Sequence, residues 1–537
     1  MPFAMMKQVL PAFLLAALLL LPSLAIRPLW MPDETRYADV ALNMLTDNGA
    51  VVPKLNGRIY KEKPPLFFWS IAGLVTAGVP VNVAPRLVSI LASLLTLLLV
   101  PVIGSRLGVA APVCRRATFM LATTPFFLLY GTMGLLDPLF AFLITAAMAA
   151  KLARAGGRRS ALFAVLEGLF LGAAMLTKGP VCLLFPLGLR LGAIFSGEGR
   201  AGRADRSDLL ALMVALACVF GWLAAAARVA GADYVVDLTL GQIARRVAGE
   251  VPHQRPRYFL PLLTFVGFIP WAFFGVNGLW RAWRARSFAP MPSATAAVAG
   301  WVILPLVVFT IIPSQQPHYV LPLLPAGGLL LAYAVEGSAT GVAKIFGYLA
   351  SVMGGFLLAG WPAVRFVLPT SLVRTPVRVL LEADWGLHIV GAGAGLVLLL
   401  FGVRLVRRAG ESEVWKPTAA LVSLFFAGTI LVTWQVGPLI APTALMESRD
   451  VAGASSLAAS ESLRSAIRIG TGRREVGSVD KYHILEKLRR RPGLVVVVWE
   501  KNLRWMETKG LPVDALRVLE RAWVRGRPIV AVGLASP

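Results

Sequence analysis

Hydrophobic residues occur along this chain in long blocks, not at the alternating spacing of strands or the three-to-four spacing of soluble amphipathic helices. Apolar segments fall near 9–26, 84–105, 117–131, 138–153, 160–177, 180–196, 209–229, 258–280, 292–312, 319–336, 341–366, 387–406 and 417–440. Runs of roughly 18 to 25 apolar residues match the length needed to cross a bilayer core. The blocks therefore predict a polytopic all-α membrane protein of about thirteen transmembrane helices. The first block, Lys7 followed by "LPAFLLAALLLLPSLA", resembles a signal peptide, but the many blocks behind it favour an uncleaved first helix.

Basic residues set the direction of the blocks. Arg106, Arg115 and Arg116, then Lys151, Arg154, Arg158 and Arg159, occupy alternate connections. So do Arg200, Arg203 and Arg206, then Arg281, Arg284 and Arg286, then Arg404, Arg407, Arg408 and Lys416. By the positive-inside rule that side is the cytoplasm. Counting "PPLFFWSIAGLVTAGVP", residues 64–80, as a span would reverse every later loop. Charge topology thus places it along the outer interface, anchored by Trp69, within an outer loop 27–83 that carries interfacial helices. The expected organisation is a membrane domain over residues 1–440 and a small outward-facing, periplasmic α/β domain over 441–537. In the latter, "SAIRIG", "GLVVVVW" and "PIVAVG" read as strands, and "VDKYHILEKLRR" and "VDALRVLERAW" as helices.

Composition agrees with the pattern. Of 537 residues, 57% are hydrophobic and 15% charged, and the mean hydropathy is +0.71. The net charge of +25 sits in short clusters between apolar blocks, which fits topology signals and anionic lipid and not nucleic acid. Cys114, Cys182 and Cys218 are far apart and odd in number. They form neither a disulfide framework nor a metal-ligand spacing.

The unusual polar residues gather on the outer side. Asp33, Glu34, Arg36, Tyr37, Glu62 and Lys63 lie in the first outer loop, Asp137 at a helix start and Lys178 at a helix end. Arg245, Arg246, His253, Arg255 and Arg257 share one later loop, and Gln315, Gln316, His318 and Tyr319 another. Asp33 can be an N-cap, Asp137 a plain helix start before Pro138, and Lys178 a snorkelling end residue. Glu167, inside a span, reads as buried against a bundle partner. As a set, however, carboxylates that can serve as base or orient a hydroxyl face cations that can hold a phosphate. The first-loop charge sits where a membrane-borne phosphate ester would enter. That combination points to group transfer from a lipid-linked phosphate, with Asp33, Glu34 and Asp137 as candidate catalytic carboxylates. Lys63, Lys178, Arg36, Tyr37 and Arg246 are the candidate donor-phosphate ligands.

"PDETRYADVALNML", "VPKLNGRIYKEKPPLFFW", "LLDPLFAF", "LTKGP" and "SQQPHYVLPLLP" resemble the signatures of bacterial membrane glycosyltransferases of the GT-C fold. The group is the protein mannosyltransferase-like family, and the resemblance is strongest to the lipid A aminoarabinose transferases. It covers most of residues 9–340. It implies transfer of a sugar from a polyprenyl-phosphate donor, with inversion and no nucleotide cofactor, at the periplasmic face of the inner membrane. The acceptor would be lipid A, another glycolipid, a glycan or a protein. By the same resemblance Asp33 is the principal acidic residue, Asp137 the second carboxylate, and Lys63 faces the lipid phosphate. Glu62 and His253 would share a divalent metal ion, and Lys178 and Tyr319 would fall at further donor-phosphate positions. The basic residue expected before the tyrosine of the last motif is missing from "SQQPHY". A flippase for polyprenyl-linked saccharides would bind the same head groups without chemistry, and an inactive scaffold would keep the architecture alone. Charges at the outer edge and the absence of a repeat separate this chain from midplane transporters.

The topology is directly testable. Ala50→Cys in intact cells should react with an impermeant thiol reagent from outside, and Gly202→Cys should not. The reverse labelling would overturn the placement of every loop.

Overall fold

The computed structural model describes residues 3–46, 50–154, 160–196, 205–241, 255–284, 293–312, 314–334, 340–355, 358, 385–408, 443–473, 475–491, 493–524 and 527–534. Its first part is a helical bundle built from α1 (Phe3–Leu20), α2 (Ser23–Ile26), α3 (Asp33–Met44), α4 (Leu66–Thr76), α5 (Ala84–Arg106), α6 (Ala111–Ala122) and α7 (Pro125–Gly131). The bundle continues with α8 (Leu136–Arg154), α9 (Ser160–Lys178), α10 (Leu184–Phe195), α11 (Arg206–Ala230) and α12 (Ala232–Val236). Further along lie α13 (Phe259–Gly267), α14 (Trp271–Arg284), α15 (Ser293–Ile311), α16 (Leu324–Ala334), α17 (Thr340–Gly355) and α18 (Trp385–Arg407).

Among the described residues, five helices are long and apolar enough to cross a membrane, or six if the bent pair α13–α14 counts as one. That is fewer than the apolar blocks predicted, and proline explains much of the difference. A proline has no N–H to donate and its ring clashes with the preceding turn. The block 117–131 is broken between α6 and α7, where Pro125 opens the second helix. The block 180–196 begins as a tight 3₁₀ turn at Pro180 before α10. The block 258–280 bends by 101° where Pro270 separates α13 from α14, so it is not the straight span expected. The block 319–336 starts as a 3₁₀ stretch, Pro317–Leu323, before α16. Residues 417–440, and the 440/441 boundary between the two expected domains, lie outside the described residues.

Where helices run long they pack closely through small residues. Gly188 and Gly192 on α10 face Ala296 and Gly300 on α15. A Cβ at Gly192 would come within 2.1 Å of the Ala296 carbonyl oxygen. In lipid, where no hydrophobic force drives helices together, such close approach supplies the packing.

The first loop is folded, not loose. α3 and α4 pack over the ends of α5 and α8 through Tyr37, Val40, Ala41, Phe67, Phe68, Ile71, Val88 and Leu136. A two-stranded hairpin, β1 (Lys54–Leu55) with β2 (Arg58–Ile59), turns at Asn56 and Gly57. Both of those residues have positive φ, 53° and 80°, the backbone a tight hairpin of this twist demands and Asn-Gly readily adopts. At 11 residues α4 rises about 16 Å, too short to cross about 30 Å of hydrocarbon. The Trp69 indole, expected as an interfacial anchor, donates to the Ala50 carbonyl at 2.6 Å.

The chain ends in a sheet of order β4-β3-β5-β7-β6, formed by β3 (Ser456–Ala459), β4 (Gly477–Ser478), β5 (Leu494–Trp499), β6 (Leu516–Val524) and β7 (Arg527–Leu534). β3 pairs in parallel with β4 and β5, while β7 runs antiparallel to β5 and β6. Apolar clusters cover both faces: Val495 and Val497 lie in one, Val496 and Val498 in the other. A strand buried on both sides reads as a continuous apolar run, which is why "GLVVVVW" was legible. Two of the predicted elements change type. "SAIRIG" lies within the helix Glu461–Thr471, whose Leu463, Ala466 and Ile467 share a buried face. "VDALRVLERAW" contributes strand β6, because the fully buried Ile529, Val530, Ala531 and Val532 of β7 take it as their antiparallel partner.

Candidate active site

The first loop is pinned by a buried ion pair. Both guanidinium nitrogens of Arg27 donate to the two oxygens of Glu34, at 2.6 and 2.7 Å. Glu34 also accepts from the backbone N–H groups of Trp30 at 2.6 Å and Gly134 at 2.7 Å. Arg27 donates further to the Thr132 carbonyl at 2.9 Å, and its cation lies 4.0 Å above the Trp30 ring. Beneath it, the buried Arg86 of α5 donates to the carbonyls of Ser23, Arg27 and Asn82. Together these contacts fasten residues 27–34 to the turn that begins α8. Burial alone would raise the Glu34 pKa, but Arg27 and the two backbone donors outweigh it and hold the carboxyl below its ordinary 4.5.

That turn carries Asp137 in the first helical turn of α8, and Lys178 lies in the last turn of α9. An acid at a helix start and a cation at a helix end are each favoured by the helix dipole. Lys178 Nζ donates to Asp137 Oδ1, and His318 Nε2 lies 3.8 Å from Asp137 Oδ2. Lys178 Nζ also sits 4.3 Å from the centre of the Tyr319 ring. On the facing side, Arg36 donates to Asp33 at 2.5 Å and reaches Glu62 at 3.5 Å. Tyr60 donates to the same Glu62 oxygen at 3.1 Å. The charge of Lys63 reaches both Asp137 and His318, and that of Asp33 reaches His318. Burial pushes His318 down, Asp137 pulls it back up, and Lys178 and Lys63 push it down again, leaving it at about 4. His318 is therefore neutral near pH 7. Burial, then the Asp33 charge, pushes the Tyr37 phenol well above its usual 10, so Tyr37 keeps its proton.

Segments far apart in the chain thus meet at one end of the bundle: Asp33, Arg36 and Tyr37; Tyr60, Glu62 and Lys63; Asp137; Lys178; His318 and Tyr319. The Asp33 side chain is 42% exposed, whereas Asp137 is 4% exposed. Glu34 does not fit the catalytic role expected of it, because both its oxygens are taken by Arg27 and by backbone donors inside the fold. Arg246 and His253 lie outside the described residues. Among the described residues no three His, Cys, Asp or Glu side chains gather as metal ligands. Glu62 sits beside the Arg36 guanidinium, a poor neighbour for a second cation. Three contributors carried no role in the sequence reading: His318, Arg27 and Arg86. The last two were marked by a charge inside or at the edge of an apolar block, where a charge needs a partner. Glu167, within α9, forms ion pairs with Lys151 at 3.4 Å and Arg154 at 2.9 Å at the far end of α8.

The helical bundle with polar loops folded over one end has the GT-C fold of membrane glycosyltransferases. The family described as dolichyl-phosphate-mannose-protein mannosyltransferase matches residues 5–194. An undecaprenyl phosphate-alpha-4-amino-4-deoxy-L-arabinose arabinosyl transferase of Serratia proteamaculans is 28% identical over 410 residues, 75% of this chain and 72% of the relative. A Pseudomonas aeruginosa protein of the same name is 33% identical over 315 residues, 57% of this chain and 56% of its own. Among solved structures, ArnT from Cupriavidus metallidurans bound to undecaprenyl phosphate superimposes with a TM-score of 0.76 at 21% identity, over 98% of both chains. The same protein in the apo state gives a TM-score of 0.73. The chain carries a protein mannosyltransferase family domain and is a glycosyltransferase related to the aminoarabinose transferases.

Breaking a buried ion pair from one side costs about 3–5 kcal/mol. Glu34→Gln should therefore lower the melting temperature at neutral pH. Because the folded-state pKa of Glu34 is depressed, its stabilising charge is present above about 4.5 and is lost as pH falls through the lower native value. The melting curves of parent and variant should converge in that acid window. An offset that never narrows as the pH is lowered through the acid range would contradict the assignment.

Proposed function

We propose that this chain transfers a sugar from a polyprenyl-phosphate donor to an acceptor at the outer, periplasmic face of the inner membrane. The observation that carries the reading is the meeting of Lys178, Lys63 and Arg36 with Asp33 and Asp137 at one rim of an apolar bundle. The opposite ends of α8 and α9 hold a separate network, Lys151 and Arg154 with Glu167, Asp205 and Asp208. Along α8, Asp137 is separated from Lys151 and Arg154 by about 21 and 25 Å, which fits one charged rim on each side of a membrane. The names of the relatives support an undecaprenyl-phosphate-linked aminosugar as donor; lipid A, other glycolipids, glycans and proteins are the acceptor classes of this reading. The sheet-containing residues 443–534 belong, in this reading, to a small domain on the same outer side.

The chemistry follows from the charges. Lys178 and Lys63 hold the donor phosphate, with the protonated phenol of Tyr37 and the Arg36 guanidinium as further donors. Asp137, nearly buried, orients Lys178 and His318 and does not itself meet the acceptor. Tyr319 packs against Lys178 and fixes its direction. Of the two rim aspartates the accessible one is Asp33, which orients the acceptor nucleophile and takes its proton. The nucleophile attacks the anomeric carbon from the face opposite the phosphate. The carbon–oxygen bond to phosphate breaks, its electron pair passes to the phosphate oxygen, and the cations stabilise that charge. The products are an inverted glycoside and polyprenyl phosphate, and no nucleotide cofactor enters. A divalent ion shared by Glu62 and His253 is an expectation of the family resemblance alone. The described residues around Glu62 do not fit one unaided, and no step is assigned to it.

Asp33→Asn keeps the side-chain volume but removes the base. It should leave polyprenyl-phosphate binding near the parent value and abolish single-turnover transfer, since the group acts mainly in the transition state. Lys63→Ala should also weaken donor binding, by about 1.5–3 kcal/mol for a lost charge-assisted contact, or roughly ten- to a hundredfold. Transfer at the parent rate by purified Asp33→Asn would overturn the catalytic assignment.

A further inference from the structure

Helix α3, which carries Asp33 and Arg36 in its first turn, is gripped further along by the C-terminal domain. Asp39 is fully buried. Arg468 donates to its Oδ1 at 2.5 Å and Ser465 to its Oδ2 at 3.0 Å. The same Arg468 donates to Asn43, one turn further on, at 2.8 Å. Arg468 and Ser465 both lie on the helix Glu461–Thr471, which follows strand β3. A second contact binds the adjacent hairpin: Asn56 donates to Glu461 at 2.9 Å, and Arg464 donates to the Asn56 carbonyl at 3.3 Å. The third is apolar. Met31, two residues before Asp33, is buried in the C-terminal domain's own core with Leu445, Leu457, Leu463 and Ile467.

The domain therefore holds α3 on both sides of Asp33, by Met31 before it and by Asp39 and Asn43 after it. The Arg27–Glu34 pair fixes the same helix to the bundle. A helix restrained at these points has little freedom to rotate or slide, and its exposed first-turn carboxylate inherits that restraint. We infer that Arg468 and Ser465 are positioning residues for glycosyl transfer: through Asp39 they set the orientation of Asp33 toward the acceptor. The C-terminal domain is then part of the reaction machinery and not merely a cover over it. The inference rests on the role of Asp33 proposed above.

A displaced catalytic group slows the chemical step without weakening a ligand bound elsewhere, and a misplacement near 1 Å can cost about a hundredfold. In the full-length chain in lipid nanodiscs, Arg468→Ala should bind polyprenyl phosphate as the parent does. Its single-turnover rate should fall about ten- to a hundredfold, with no matching rise in the donor KM. Arg468→Lys, which keeps the charge toward Asp39, should recover most of the rate. Asp33→Asn is measured alongside as the control for the carboxylate itself. An undiminished rate in Arg468→Ala, alongside an inactive Asp33→Asn, overturns the positioning role and leaves the Asp33 assignment standing. A slow Arg468→Ala with a fully active Asp33→Asn overturns the route through Asp33. Should Arg468→Ala fail to fold, Ser465→Ala removes one hydrogen bond from the same carboxylate, and a parental rate in that variant is the contrary result.

Discussion

A carboxylate and a guanidinium, both taken out of water and closed on each other, decide where everything polar in this molecule can sit. Arg27 and Glu34 are buried side by side at the point where the chain leaves its first helix. Neither is tolerable there alone, since an unpaired buried charge costs several kcal/mol. Their pairing is directional, and the remaining valences are spent on Thr132, Trp30 and Gly134. The pair thus joins the first loop to the start of α8, and the reactive rim is assembled across that join. Asp33 and Asp137, more than a hundred residues apart in the chain, both come near His318 because the residues next to them are locked together.

Two different uses of charge coexist within a few residues. Glu34 spends its charge on architecture, while its neighbour Asp33 stays half-exposed at the rim. Asp137 is intermediate: nearly buried, tied to Lys178 and set near His318, it aims a cation and does not meet solvent. Function in such a site depends on which carboxylates are silenced by partners and which are left open. Helix α3 carries both kinds, and its further end is held by residues more than four hundred positions away.

Much of this was legible in the amino-acid order. The bilayer imposes a length on apolar blocks, so the helical bundle could be read, and charges at a membrane edge need partners, so the first loop stood out. Asp33, Arg36, Glu62, Lys63, Asp137 and Lys178 stood out by that reasoning, and the fold brings them to one end of the bundle. Glu34 was misjudged because adjacent acids look equivalent until one is seen to face an arginine. Breaks at Pro125 and Pro270 were visible as prolines, but whether a proline bends or ends a helix depends on what packs around it. In the C-terminal domain, "VDALRVLERAW" has helical spacing and becomes a strand because β7 presents an open edge. Pairings such as Asp39 with Arg468 leave no local trace at all, since they join segments that only the fold brings together.

Mass spectrometry of lipid A, surface glycans and polyprenyl-linked lipids from a strain lacking this chain tests the central claim most directly. Loss of a single sugar increment from one acceptor class, with the lipid-linked sugar accumulating at the outer face, is the outcome expected of a transferase. Unchanged acceptors, or a lipid-linked sugar trapped at the inner face, would contradict it and point to transport in place of transfer.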